Sequence, residues 1–321
     1  MEKDLGLFLN NLKYIRNKIF GYPSDVMIEP TNACNLSCVL CPCSHKFMKR
    51  KSGFMQLKDY KRIIDKISGM FPKVTLFFAG ESFLHPDIIK MIEVTAKKNI
   101  EVTISTNATK MDDIDGLLKS GLSRLIISLD GLSEKTYKKY RVGSDYTKVI
   151  GNIKKLCKRK KELGLKKPKI EIQFICMKHN QHEVKKLEKF MENVGPDKIF
   201  IKTVAIPSWF YKGKDFDRLA DEFLPTNKYR RYSKKGKKWK LIKATGKCGF
   251  TRKTVITWEG EVCLCCYDLN AEYSFGNILE KSFLEIWNSP KYKKTRELVK
   301  TRSLKLCKEC GASMVMGKPL E

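Results

Sequence analysis

The run Cys34-Asn35-Leu36-Ser37-Cys38-Val39-Leu40-Cys41 places three thiols at a three-then-two spacing directly after a short apolar segment. Three thiolates on one tight loop can hold three corners of an iron-sulfur cube and leave the fourth iron without a protein ligand. Structural zinc asks for four closed ligands, usually in paired Cys-x-x-Cys form, which makes it the weaker reading. Cys43, two residues further on, would close the site if it bound the same metal, so it reads as a bystander.

Outward from this loop, short apolar strands alternate with amphipathic helices. The strands fall at Val26 to Glu29, Val74 to Ala79, Glu101 to Thr106, Arg124 to Asp130, Lys169 to Cys176 and Lys198 to Val204. Helical periodicity marks Leu57 to Ile67, Asp87 to Lys98, Met111 to Ser120, Val149 to Leu163 and His182 to Val194. Six such units in about 180 residues are too few for an eight-stranded barrel of roughly 250. They predict an α/β fold built on a parallel partial (β/α)6 barrel, whose reactive groups gather at the carboxyl ends of the strands.

Cys-x3-Cys-x2-Cys after a strand resembles the signature of radical S-adenosylmethionine (SAM) enzymes. The resemblance implies that the open iron chelates the amino and carboxylate groups of SAM. An electron from an external donor such as flavodoxin or ferredoxin then cleaves the sulfonium, and the 5'-deoxyadenosyl radical abstracts a substrate hydrogen. The strand ends fit in order. Gly80-Glu81 is similar to the element that receives the SAM amino group, although Ala79 and Ser82 depart from its usual flanks. Ser105 and Asn107 match the ribose-binding strand end, and Ser128 and Arg141 would meet the methionine carboxylate. Backbone at Leu40 and Met177 would touch adenine. Each of these residues is also ordinary turn or core chemistry, and their order along the chain is what raises the joint case.

A second cysteine set follows: Cys248, then Gly260 with Cys265 after four further residues, then Cys307-x-x-Cys310. It resembles the auxiliary-cluster module called SPASM in its shortened, single-cluster form, twitch, as do Tyr267-Asp268 and the stretch from Phe275 to Trp287. Cys263 and Cys266 compete with Cys265 for the second ligand position, and a zinc site on the same cysteines is the alternative. Two [4Fe-4S] clusters are therefore expected. The implied organisation is an amphipathic helix over 1–23, the partial barrel over 24–206, a basic aromatic connector over 207–247 and the auxiliary module over 248–321.

The chain has 321 residues and a net charge of +29, concentrated at Lys154 to Lys169 and Lys228 to Lys243. Such patches attract nucleic acid, anionic membrane or phosphorylated substrates, but solvated helix and loop faces explain them as well. Twelve cysteines without a secretory signal point to a reducing cytoplasm. The N-terminal helix, with Leu5, Phe8, Leu9, Leu12, Ile15 and Ile19 on one side, is expected to pack across the bottom of the barrel rather than lie on a membrane. Cys157 and Cys176 read as packing residues and His85 as structural, while Lys202 and Asp268 face plausible substrate space. The favoured activity is radical oxidation of a sugar, polyol or glycan-type substrate, anionic groups included. Peptide maturation, modification of a membrane lipid or nucleic acid, and a non-enzymatic Fe-S or zinc nucleic-acid scaffold are the alternatives.

Overall fold

The computed structural model describes residues 2–44, 47–208, 210–226, 228–242, 248–308, 310 and 318–319; His45, Lys243 and Lys247 lie outside them. Helix α1 (Glu2–Phe20) precedes strand β1 (Asp25–Ile28), and the cysteine loop follows. Next come α2 (Leu57–Ile67), β2 (Lys73–Thr75), α3 (Ile88–Ala96), β3 (Glu101–Thr106), α4 (Ile114–Lys119) and β4 (Arg124–Ser128). The core continues with α5 (Glu134–Tyr140), α6 (Tyr146–Glu162), β5 (Lys169–Cys176), α7 (Leu187–Val194) and β6 (Lys198–Thr203). Strands β1 to β6 pair in sequence order and in parallel, which is the expected six-unit α/β core.

Period-two alternation divides this sheet chemically. Val26, Val74, Val102, Ile104, Leu125, Ile127, Ile172 and Ile201 are fully or almost fully buried in one core with Ile63, Met91, Leu117 and Ile153 of the covering helices. The intervening residues Asp25, Lys73, Thr75, Thr103, Arg124, Glu171 and Lys202 line the other face. That face is polar and internally paired at its base: Lys253 Nζ lies 2.9 Å from Asp25 Oδ2, and Arg124 pairs with Glu171 at 3.5 Å.

After β6 the chain forms α8 (Gly213–Phe223) and a hairpin, β7 (Tyr232–Lys235) with β8 (Lys238–Leu241). The next strands, β9 (Lys253–Ile256), β10 (Glu261–Cys263) and β11 (Ser274–Asn277), were not foreseen as part of the barrel sheet, yet they extend it. Strand β9 pairs in parallel with β1, and β10 and β11 add antiparallel at that edge. Helices α9 (Phe283–Asn288), α10 (Pro290–Lys300) and α11 (Lys305–Lys308) then lead to Cys310, and β12 (Lys318–Pro319) pairs with β6. Phe71 of the barrel meets Phe283 edge-on, so the C-terminal segment shares the main core.

Two expectations need correction, and one helix gains its bounds. Helix α5 lies between strand four and Arg141, where seven residues are too few for a period to set its limits; its start is fixed by a capping box between Ser133 and Thr136. The helix expected over His182 to Val194 is a tight 3-10 turn, Gln181–Lys186, followed by α7. On α1, Phe8, Leu12, Ile15 and Ile19 are exposed rather than packed on the barrel, and the side chains of Leu5 and Leu9 lie outside the described residues. What ties the helix down is buried Asn17, whose amide donates to the carbonyls of Pro23 and Met70.

Candidate active site

The cysteine loop leaves β1 and is clamped from several sides. Asn32 donates to Lys51 O and accepts from Gly53 N, and Thr31 donates to Gly53 O, which fixes the loop's first turn. Its far side hangs on the end of α5: Ser37 N donates to Val142 O and Val39 N to Tyr140 O. Below it lies Gly80, with φ +74°; a Cβ there would stand 2.4 Å from Ala33 O, so only glycine lets the backbone that follows β2 approach the loop this closely. Glu81 N, next in the chain, donates to the same Ala33 carbonyl at 2.8 Å.

Glu81 itself is buried and anchors the next strand end. Its Oε1 accepts from Thr106 Oγ1 at 2.8 Å and Phe83 N at 3.1 Å, and its Oε2 accepts from Asn107 N at 2.7 Å. Asn107 in turn donates to Asn35 Oδ1 at 3.1 Å, and Asn35 donates to Thr109 Oγ1 at 2.9 Å. A residue inside the cysteine run is thus bonded to the end of β3, a link carried by Asn35 and Thr109, which sequence reasoning passed over. Burial raises the Glu81 pKa, opposed by these three donors and by Arg141. Ser105 is half-buried and Ser128 buried; strand alternation puts both on the polar face, opposite Ile104 and Ile127.

Arg141 caps α5 and turns back under the loop. Its Nε donates to Asp130 Oδ2 at 2.7 Å, its Nη2 lies 2.5 Å from the same oxygen, and its Nη1 reaches Cys38 Sγ at 3.8 Å. Burial works against the guanidinium charge, but Asp130 and Cys38 more than offset it, so its pKa is raised. The other Asp130 oxygen accepts Ile175 N, and fully buried Asn180 donates to Asp130 O and Ile175 O while accepting Met177 N. Met177 and Leu40 are both buried beside the loop, in a cluster with Tyr140, Val204 and Phe223. The backbone N–H of Met177 is therefore engaged within the chain.

Burial pushes the Cys34 thiol up to about 11, and Cys38 is raised for the same reason with Arg141 opposing. Neighbouring thiolates add to the rise at Cys34 and Cys38, and a loop that gathers such thiols suits a positively charged iron core, which takes them as thiolates. Cys43 hydrogen-bonds Cys41, the leading cause of its own raised pKa, and so sits against the set rather than apart from it.

The C-terminal thiols also converge. Cys266 is pushed up to about 12 by burial, with Cys310 and Cys248 as its next neighbours in charge. Cys265 senses Cys266, Asp268 and Cys310; Cys307, raised to about 11 by burial, senses Cys248 and Cys310. Cys263 faces elsewhere: its Sγ bonds Glu261 O, and its strongest neighbours are Asp268, Arg50, Glu29 and Glu261. Among the described residues no three Cys, His, Asp or Glu side chains close around a single metal ion. A cube spreads its ligands over four irons, so its thiolates need not meet at one point. Both donor sets therefore fit iron-sulfur clusters.

The family model of the Radical SAM superfamily matches residues 28–191, and that of the SPASM iron-sulfur cluster-binding domain matches 248–311. The chain belongs to the radical SAM superfamily. Its cofactors are SAM and two iron-sulfur clusters, and it is an enzyme of radical chemistry. Among curated relatives, a tungsten-containing aldehyde ferredoxin oxidoreductase cofactor-modifying protein of Pyrococcus furiosus is 27% identical over 310 residues, 88% of this chain and 86% of its own. A GTP 3',8-cyclase of Clostridium botulinum is 32% identical over 132 residues, 40% of this chain and 41% of its own length. Among solved structures, BtrN in complex with AdoMet and 2-DOIA superposes with a TM-score of 0.59 at 19% identity, covering 90% and 92% of the two chains. Streptococcus suis SuiB bound to S-adenosylmethionine gives 0.64 at 19%, covering 94% and 75%.

Other candidates have structural roles. His85 bonds Met55 O through Nε2 and Asp87 N through Nδ1. Asp268, expected to face substrate, is buried and caps a turn by accepting from Glu272 N and Tyr273 N. Cys157 and Cys176 are packed in the main core. The basic run on α6 is a solvated face with internal partners, Arg159 to Asp115 and Lys160 to Asp197, and on the hairpin Arg230 and Lys234 lie over Trp239. Among the described residues no helix is long and apolar enough to cross a membrane.

Proposed function

We propose that this radical SAM enzyme abstracts hydrogen from an unactivated C–H bond of a small-molecule substrate and oxidises it, a sugar, polyol or cofactor-like molecule being the preferred class. The observation that carries the reading is the convergence on the cysteine loop of Glu81 and Asn107, from the segments that follow β2 and β3, and of Arg141, at the end of α5 and held by Asp130 just past β4. Cys34, Cys38 and Cys41 would hold the first cluster, which supplies the electron that cleaves SAM. Glu81 has three acceptor positions engaged within the chain, leaving room on a carboxylate for one ammonium donor. Arg141 keeps Nη1 toward the loop for a carboxylate, and Ser105 and Ser128 offer hydroxyls on the same face.

Cys248, Cys265, Cys307 and Cys310 would hold the second cluster, closed by protein ligands and suited to accept an electron. The small-molecule class is supported by the near-full-length relative named for modifying a cofactor and by the match to GTP cyclases. Peptide maturation rests on fold likeness alone, since SuiB shares 19% identity. The internal pairing of the basic surface lowers the case for lipid or nucleic acid, and the loop-to-strand network has no use in a scaffold.

Anaerobically reconstituted, reduced protein should convert SAM to methionine and 5'-deoxyadenosine. Incubated with a deuterium-labelled small-molecule extract, it should move deuterium into 5'-deoxyadenosine and deplete one metabolite. S-adenosylhomocysteine as the sole nucleoside product would overturn the reading.

A further inference from the structure

Lys202 sits near the end of β6, where alternation sets it opposite Ile199 and Ile201, two residues of the helix-side core. Its neighbours in charge are Arg124 and Arg231 on the positive side, and Asp130 and Cys266 on the negative side. This one cation senses Asp130, which holds Arg141 beside Cys38, and Cys266, the neighbour of Cys265 in the chain. In sheet order, β6 and β10 are seven strand spacings apart, roughly 33 Å in a flat sheet. Lys202 pairs in register with Ile175, whose N–H bonds Asp130, so it stands on the inner face beside the support of Arg141; its electrostatic reach to Cys266 across that span fits a curled sheet.

Among the described residues, no acid pairs with it. Asp130 is already paired with Arg141 through two contacts. Arg231 is anchored to Thr203 through its hydroxyl at 2.7 Å and its carbonyl at 3.0 Å. No hydrogen bond or ion pair to Lys202 occurs among the described residues, and burial together with the two arginines lowers its pKa. Lys202 is half-buried beside the guanidinium of Arg231, and an ammonium so placed gains from an anion that joins it. The wall beyond adds Lys73, also half-buried, while the acids there, Asp25 and Glu171, are already taken by Lys253 and Arg124.

We infer that Lys202, backed by Arg231, binds an anionic group of the substrate, phosphate or carboxylate, in the lumen between the two cysteine sites. The inference rests on the radical reading above and names the substrate class for the same site. An oxyanion fixed there tethers the substrate by an end that does not react, and directs the remainder toward the cysteine loop or toward Cys266.

The test uses holoenzyme saturated with SAM, which blocks the open iron. Calorimetric titration with inorganic phosphate, and separately with succinate, distinguishes the two oxyanions. At least one should bind with one-to-one stoichiometry. Lys202→Met should lose roughly tenfold or more in affinity, as expected for one charge-assisted bond, and Lys202→Arg should retain most of it. Lys158→Met, on the exposed face of α6, should bind like wild type. Iron content and circular dichroism of Lys202→Met establish that the variant is folded and loaded. Equal affinity in Lys202→Met and wild type, or no binding of either probe, overturns the inference. So does a Lys202→Met variant whose second-cluster potential shifts while its anion affinity does not, because Lys202 is then the counter-ion of that cluster. Failure of wild type to cleave SAM sinks the radical reading instead, whatever the anion data show.

Discussion

Arg141 Nη1 stands 3.8 Å from Cys38 Sγ while the rest of its guanidinium is held by Asp130. The cation beside the cysteine loop is therefore positioned from the segment just past β4, and the pair couples the loop to the barrel.

Replacing Asp130 with Ala removes the counter-ion of a buried Arg141 and the acceptor for Ile175 N. Breaking one partner of a buried pair typically costs about 3–5 kcal/mol. Urea unfolding of Asp130→Ala should show a loss of that order, and a loss below about 1 kcal/mol would mean that solvent already screens the pair.

Two clusters imply about eight iron atoms per chain after anaerobic reconstitution. Joint replacement of Cys34, Cys38 and Cys41 by Ala should leave about half of them. Cys265→Ala should likewise lose the second cluster, whereas Cys263→Ala should keep full iron because its thiol is turned toward Glu261. Full iron in the triple variant, or zinc at the C-terminal site, would contradict the two-cluster assignment.

Gly80 tests the contact between loop and barrel. Gly80→Ala must relieve both a positive φ and a Cβ 2.4 Å from Ala33 O, so the loop has to move. The expected result is a protein that folds, retains its second cluster and loses most 5'-deoxyadenosine formation. Wild-type SAM cleavage in this variant would show that the close approach is dispensable.

His179 provides the pH test. Packed edge-on against Phe223, its ring is lowered to about 4 by burial, with Lys139 adding to the effect. The unfolded chain binds a proton near 6.5 and the folded chain does not until near 4, so stability from neutral His179 is present above 6.5 and lost as pH falls toward 4. Between pH 6.5 and 4 the wild type should lose roughly 1–2 kcal/mol more than His179→Phe, a value reduced for partial solvent screening. Parallel pH profiles for the two proteins would exclude the effect.

The cysteine spacing, the six alternating units and the strand-end motifs were legible because each is a local pattern. A thiol triplet, an apolar period and a glycine before a glutamate lie within a few residues of one another. Elements β3, β5 and α2 appear with the bounds read from sequence, since long periodic segments leave little choice. Asn35, Thr109, Asp130 and Asn180 could not be found that way. Each is an ordinary polar residue whose partner lies between 5 and 74 positions away, and only burial against that partner gives it a role.

The sequence by itself determined the metal chemistry and the class of fold, because ligand type and strand period are properties of short segments. Only the tertiary structure decided that β9 pairs with β1 in register Asp25↔Lys253 and carries the second cysteine set onto the barrel's own sheet. The same folding sets Lys202 beside Ile175, whose N–H bonds Asp130, and turns the Cys263 thiol toward Glu261. These outcomes depend on pairing across more than two hundred residues and on the curl of the sheet, which no local pattern encodes.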